Sequence, residues 1–198
     1  MVAQRDDWLS VEDFLALDRE SLDQKYEYMD GHMYALAGGS GNHGLIISNA
    51  NRIIGNHLRS SPCATLVEMT LKIRSACFLP DVMVTCNEKD IEENKTYMEF
   101  PKLVIEVLSP STEKGDRGKK FLRYINCPSI QEYVLISQDI MLVEKFTRAS
   151  PEWRYRSYRR GENVEFKSIG FIFPIEELYE RVILPPEEFF EEESADHL

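Results

Sequence analysis

Two carboxylates placed on apolar strands are the chain's clearest chemical signal. Glu106 interrupts the run Leu103-Val104-Ile105-Glu106-Val107-Leu108, whose β-branched and aliphatic residues read as a buried central strand. Alternation puts Val104, Glu106 and Leu108 on one face. A lone carboxylate there costs several kcal/mol, roughly, unless a cation or hydrogen bonds compensate it. Asp81 opens a second apolar strand, Pro80-Asp81-Val82-Met83-Val84. Two acids entering neighbouring strands of one sheet give the oxygen donors that a divalent-metal site needs. Plainer readings exist for each: Glu106 paired with a core Lys or Arg, and Asp81 capping a turn after proline.

The elements that must hold these acids follow from periodicity. Ser10-Val11-Glu12-Asp13 starts a short helix with Ser10 as its cap. Tyr26-Glu27-Tyr28-Met29 and His32-Met33-Tyr34-Ala35-Leu36 flank Asp30-Gly31, a favoured two-residue turn, and so read as a hairpin. After the break Gly38-Gly39-Ser40-Gly41-Asn42, a helix is predicted from about His43 to Arg59, with Ile46, Ala50, Ile53, Ile54 and His57 at helical spacing. Strands are predicted at roughly 64–73, 80–86 and 102–108, a helix over about 116–126, and strands at 132–137 and 140–147. Shorter strand pieces follow, and a helix over 175–181. The core order is helix, strand, strand, strand, helix, strand, a mixed α/β layer architecture.

Composition narrows the class. The 198 residues suit one domain with a real core, taken as 1–184. Net charge is −11, and six of the acids fall in the tail 185–198, which has no Lys or Arg and reads as a disordered acidic appendage. The rest carries −5. The segment 113–123 is locally basic, with five cations against Glu113 and Asp116. A local basic surface matters more to phosphate binding than the total does. No apolar stretch can span a bilayer and no signal core opens the chain, so a cytoplasmic protein is expected. Cys63, Cys77, Cys86 and Cys127 form no CxxC pair and are expected to be reduced core residues. There is no GxSxG, Walker loop or HExxH, which argues against other hydrolase chemistries.

Four segments carry a family resemblance. They are Tyr26-Glu27-Tyr28-Met29-Asp30-Gly31, Pro80-Asp81-Val82, Val104 to Thr112 (VIEVLSPST) and Asp116 to Tyr124 (DRGKKFLRY). Together they resemble the Uma2 family, also called DUF820, labelled as restriction endonucleases and abundant in cyanobacteria. The resemblance spans about residues 8 to 184. It implies the PD-(D/E)XK nuclease fold, an αβββαβ restriction-endonuclease-like core with added β-hairpins. It implies a metal-dependent endonuclease that hydrolyses phosphodiester bonds, in DNA, as a homodimer without membrane attachment. Asp81 and Glu106 would hold Mg²⁺, for which Mn²⁺ substitutes, with the backbone carbonyl of Val107 as a third ligand.

One position departs from the superfamily pattern. The lysine expected two residues after the glutamate is Leu108. The resemblance is to variants whose lysine has moved to the next helix, which makes Lys120 the match and Lys119 the second choice. Asp116, Lys120 and Tyr124 fall at i, i+4 and i+8, one helical stripe that can face the strand ends. Arg117 and Arg123 would bind flanking phosphates. Glu27, Glu68 and His43 are secondary candidates, the first two for a second metal. The plainer alternatives are a solvated Lys120, Asp116 as a helix N-cap and Tyr124 packed on the sheet. Trp153 to Arg160 interleave aromatics with cations, which suits either nucleic-acid contact or an exposed edge hairpin. The missing lysine at 108 and the acidic total leave a second function open: a degenerate nuclease fold acting as a binding or regulatory module. A third is an oligomeric structural protein whose acidic tail recruits partners.

Overall fold

The computed structural model describes residues 8–21 and 23–186. Helix α1 (Val11–Glu20) begins at Ser10, whose hydroxyl accepts from Asp13 N. Strands β1 (Tyr26–Met29) and β2 (His32–Ala35) form the expected hairpin, with Asp30 at φ 48° and Gly31 at φ 91°. Both residues sit in the left-handed region, which a tight turn between twisted strands demands. Helix α2 (Gly41–Leu58) is capped by Ser40, whose hydroxyl accepts from His43 N at 3.1 Å. Its apolar stripe buries Ile46, Ala50, Ile53 and Ile54.

The main sheet has six strands in the order β10-β9-β8-β7-β6-β3. They are β3 (Ala64–Val67), β6 (Val82–Thr85), β7 (Pro101–Leu108), β8 (Glu132–Ser137), β9 (Leu142–Ala149) and β10 (Glu152–Arg159). Among the described residues, β7 and β8 are the one parallel pair of strands in this sheet. Such a pair needs a crossover, supplied by α3 (Glu113–Asp116) and α4 (Lys119–Ile125). Between β3 and β6 the chain makes β4 (Leu71–Ile73) and β5 (Ala76–Phe78), which join the first hairpin in a sheet ordered β2-β1-β5-β4. Strands β11 (Asn163–Phe166) and β12 (Phe171–Pro174) form a separate hairpin.

Two apolar clusters cover the main sheet. On one side α2 packs on Val82, Val84, Ile105, Val107 and Val134. On the other, Met83, Val104, Leu108 and Leu135 meet Tyr124 of α4 and Phe78 of β5. Buried apolar side chains of this size stabilise by roughly 1.5–3 kcal/mol each. Glu106 belongs to the second side, between Val104 and Leu108, and faces α4 and the small sheet. The fold is mixed α/β, as expected.

The structure corrects several expectations. The strand over 64–73 breaks at Glu68, whose φ of 47° turns the chain from one sheet to the other. The helix over 116–126 splits at Gly118, where an added Cβ would lie 2.7 Å from the Lys114 carbonyl. The helix over 175–181 is a short 3-10 turn, Ile175–Glu177. His57, whose spacing with apolar neighbours predicts a satisfied core histidine, is exposed, its ring stacked on Phe171 and bonded to the Ile169 carbonyl. Cys63 and Cys86 are joined in a disulfide, while Cys77 and Cys127 are free and buried. The 23-residue separation hides this pair in the sequence. It follows from the register Ala64↔Thr85, which sets Cys63 opposite Cys86. The acidic tail lies largely outside the described residues.

Candidate functional site

A cleft of about 370 Å³ opens where β7, α4, the start of α2 and the four-stranded sheet meet. Its walls include Glu27, His43, Glu68, Asp81, Glu106 and Lys120, six of the candidates named from the sequence. Register explains the meeting of the two acids. Val82 pairs with Ile105 in antiparallel β6–β7, so Asp81 precedes β6 beside the segment of β7 that carries Glu106. Asp81 Oδ2 accepts from Val107 N at 2.6 Å, which ties it to that strand.

Lys120 is the hub. It is 3 % exposed, so it is no solvated helix lysine. Its Nζ lies 2.8 Å from Glu27 Oε1, 2.8 Å from Glu106 Oε1 and 3.0 Å from Asp116 Oδ1. Lys119, one position away, is exposed. Asp116 is buried in α3, and Gly118, not Asp116, stands at the start of α4. Tyr124 is fully buried and its hydroxyl donates to Glu106 Oε1 at 2.8 Å. Tyr124 is therefore packed on the sheet and bonded to Glu106 at once. Glu27 Oε1 also accepts from Leu79 N at 3.0 Å, while its Oε2 is buried with no hydrogen-bond partner among the described residues.

The electrostatics follow from three carboxylates and one ammonium in a dry place. Burial pushes Glu106 well above the usual carboxylate range, against the pull of Lys120. Burial likewise raises Asp116. Burial opposes the charge on Lys120, but Glu106, Glu27, Tyr124 and Asp116 outweigh it and raise the lysine well above its ordinary value. His43 stands on the first turn of α2 with Nε2 3.5 Å from Asp81 Oδ2. Its hydrogen bond to Asp81 raises its pKa, burial works against this, and the Asp81 charge and a bond to the Val107 backbone add to the rise. Gly39 makes room for that ring, since an added Cβ would lie 2.6 Å from His43 Nδ1.

Other candidates are placed differently. Glu68 lines the cleft but is paired with Lys25. Arg117 is held by Glu113 at 2.8 Å and by Glu144, and Arg123 by Asp30 at 2.5 Å. Neither arginine lines the cleft. Sequence reasoning missed Gly39, whose only signal was its place in a glycine-rich break, and the role of Leu79 N, which had none. Ser109 and Thr112, inside the quoted VIEVLSPST segment, also line the wall.

The donor set suits a hard divalent cation. All the acids offer oxygen, their charge exceeds that of Lys120, and Glu27 presents an orphaned buried oxygen. No group of three His, Cys, Asp or Glu side chains is gathered tightly enough to enclose an ion among the described residues. The Lys120 ammonium holds the space between Glu27, Glu106 and Asp116 instead.

A mixed sheet with a parallel central pair, a helix on one face and an acid–lysine cluster at the strand ends defines a restriction-endonuclease-like protein. The same fold is seen in the crystal structure of a "putative nuclease belonging to DUF820" from Anabaena variabilis, with a TM-score of 0.75 at 20 % identity, over 88 % of this chain and 99 % of that one. The Uma2 family model, described as "Putative restriction endonuclease", matches residues 11–176, and the chain belongs to that family. Two Synechocystis proteins, both described as uncharacterized, are similar. One is 36 % identical over 86 % of this chain and 91 % of its own length. The other is 31 % identical over 75 % and 86 %. Among the described residues, no helix is long and apolar enough to cross a membrane.

Proposed function

We propose that the protein is a metal-dependent endonuclease that hydrolyses phosphodiester bonds in DNA, at the cleft built on Asp81, Glu106 and Lys120. The observation that carries this reading is the surplus of carboxylates over cations in a desolvated cluster. Glu27, Glu106 and Asp116 face one ammonium, with Asp81 beside them. A purely structural lysine needs one or two carboxylates; this excess is what a divalent cation neutralises.

Asp81 and Glu106, with the carbonyl of Val107, are the proposed ligands of Mg²⁺ or Mn²⁺. When bound, such an ion polarises the scissile phosphate and acidifies water. The chain's own residues do the rest. Tyr124 fixes the Glu106 carboxylate through Oε1. Val107 N holds Asp81 in place. Lys120 carries a permanent positive charge to the point where charge grows on the phosphate in the transition state. Its burial, with Glu27 and Asp116 as tethers, means no reorganisation is required as the reaction proceeds. A homodimer, with one such cleft per copy, would cut both strands of a duplex.

A second reading is a nuclease fold that binds without cutting. It is favoured by Leu108 at the usual lysine position and by the absence of an enclosed three-ligand group among the described residues. One experiment separates the two: Mn²⁺-dependent cleavage of plasmid and single-stranded DNA, with Asp81→Ala and Glu106→Ala alongside, and calorimetric Mn²⁺ titration of all three proteins. The nuclease reading expects cleavage by the unsubstituted protein and a loss of at least about a thousandfold in each variant, both still folded. Equal cleavage in all three would refute the site. No cleavage and no metal binding by any would favour the binding module.

A further inference from the structure

A second cleft, of about 680 Å³, lies at the other end of the central strands, between β9–β10 and the β11–β12 hairpin. Lys102 lines it. Because Lys102 and Glu106 share β7 four residues apart, the two clefts are separated along that strand by roughly 13 Å. This second cleft is basic. Six cations line it against the carboxylates of Glu132 and Glu165. Two of the six are committed to the fold. Lys145 binds Glu132 Oε1 at 3.1 Å and the Glu165 carbonyl. Arg148 donates to the carbonyls of Ile125, Cys127 and Ile130 and stacks over Trp153. The other four, Lys102, Arg154, Arg156 and Lys167, have no carboxylate within ion-pair distance among the described residues.

Two hydroxyls give a second, independent observation. Tyr158 OH and Ser168 Oγ are buried without a hydrogen-bond partner among the described residues, and both residues line this cleft. Tyr158 is fully buried. Folded proteins satisfy nearly all such groups. Two unpaired hydroxyls beside cations without a carboxylate partner, with Arg156 lying 4.5 Å over the Tyr158 ring, therefore point to an acceptor outside the described residues. Arg154, Arg156 and Tyr158 alternate onto one face of β10, opposite Thr147, Lys145 and Val143 of β9. Tyr155 alternates onto the opposite face of β10, where its ring packs 5.3 Å from Phe146 and its hydroxyl donates to Glu144 Oε1.

We propose that this cleft binds the phosphate group of a nucleotide or of a nucleic-acid strand. Arg154 and Arg156 supply the charge, and the Tyr158 and Ser168 hydroxyls donate to phosphate oxygens. Charge-assisted hydrogen bonds of this kind suit a tetrahedral oxyanion. The proposal does not rest on catalysis at the acidic cleft.

The test uses the full chain without divalent ions, so that nothing is cut. Binding of a fluorescently labelled single-stranded oligonucleotide is read by anisotropy, and of AMP and inorganic phosphate by calorimetry. Three variants are compared: Arg154→Ala/Arg156→Ala, Tyr158→Phe and Arg52→Ala, a control cation that pairs with Glu180 outside both clefts. Loss of affinity by about tenfold or more in the double arginine variant, with Arg52→Ala unchanged, is the expected result. Tyr158→Phe should bind several-fold more weakly, with its unliganded Tm unchanged or higher, because it removes an unpaired buried hydroxyl. AMP binding without a gain from the oligonucleotide makes this a nucleotide pocket; oligonucleotide binding alone makes it a strand grip. Either supports a phosphate site. Failure of all three probes to bind overturns it. So does binding that both cleft variants leave intact, or a Tyr158→Phe variant that loses Tm but no affinity.

Discussion

The two clefts each bury a lysine among carboxylates, and they differ in how the charges balance. In the acidic cleft Lys120 meets Glu27, Glu106 and Asp116, and one Glu27 oxygen is left unpartnered. In the basic cleft Lys145 meets one carboxylate among the described residues, that of Glu132. Glu132 is fully buried and also accepts from Lys167 N at 3.1 Å and Ser168 N at 2.8 Å. The Lys145–Glu132 pair is a closed unit that pins the β11–β12 hairpin to the sheet. The Lys120 cluster is open, with more carboxylates than its one ammonium can pair. A balanced buried pair holds structure, and an unbalanced one is poised to take something from outside.

The strongest way to break this comparison is to make the same substitution in both places. Lys120→Met and Lys145→Met each strand buried carboxylate charge, so each should lose about 3–5 kcal/mol in denaturant-measured stability. Their response to divalent ions should differ. Millimolar Mn²⁺ should restore part of the loss in Lys120→Met, where three acids then face a cation, and none in Lys145→Met. Equal recovery, or none in either, would erase the distinction between the open and the closed cluster.

A tyrosine pair sharpens it at smaller scale. Tyr124 and Tyr158 are both fully buried, but the Tyr124 hydroxyl donates to Glu106 and the Tyr158 hydroxyl has no partner among the described residues. Tyr124→Phe should cost about 1.5–3 kcal/mol, as for a hydrogen bond to a charged group. Tyr158→Phe should cost nothing. Thermal denaturation of the two proteins side by side measures the contrast, and similar losses in both would contradict it.

The surplus charge also predicts a proton exchange. Burial raises the pKa of Glu106 and of Asp116. Above the ordinary carboxylate value of about 4.3 and below the raised one, the free protein keeps protons that an ionised cluster would lack. A cation displaces them. Mn²⁺ binding should therefore release protons, and its apparent affinity should rise with pH through that window. Calorimetry in buffers of different ionisation enthalpy reads the release directly, and buffer-independent heats would show that the cluster is already ionised.

Much of the acidic cleft was legible in the sequence, and the basic one far less so. Glu106 stood out because an isolated charge in an apolar strand needs an explanation, and Asp81 because it preceded the neighbouring strand. The stripe Asp116, Lys120, Tyr124 survives the break at Gly118, since residues on either side of it still converge on one point. Glu27 was marked only by its hairpin motif, and nothing local showed that it would reach Lys120 across 93 residues. The basic cleft draws Lys102, Lys145, Arg154, Arg156 and Lys167 from three strands and a turn. Only the Trp153–Arg160 ribbon announced it. The Cys63–Cys86 bond was invisible for the same reason, because sheet register rather than sequence spacing brings its ends together.

The smallest effect belongs to His43, at the rim of the acidic cleft. Its folded pKa lies above the ordinary histidine value of about 6.5, chiefly through its hydrogen bond to Asp81. A group raised in this way stabilises the fold fully below the unfolded value and loses that contribution as pH rises through the folded one. The pair is partly open to solvent, so the contribution is on the order of 1 kcal/mol or less. His43→Ala should therefore be less stable than the unsubstituted protein below about pH 6, and the gap should close toward alkaline pH. Denaturant titrations across that range give the answer. A gap that stays constant would assign His43 a packing role against Gly39 rather than a charge interaction with Asp81. A gap that widens with pH would mean that the neutral ring, not the imidazolium, is what the Asp81 side of the cleft holds.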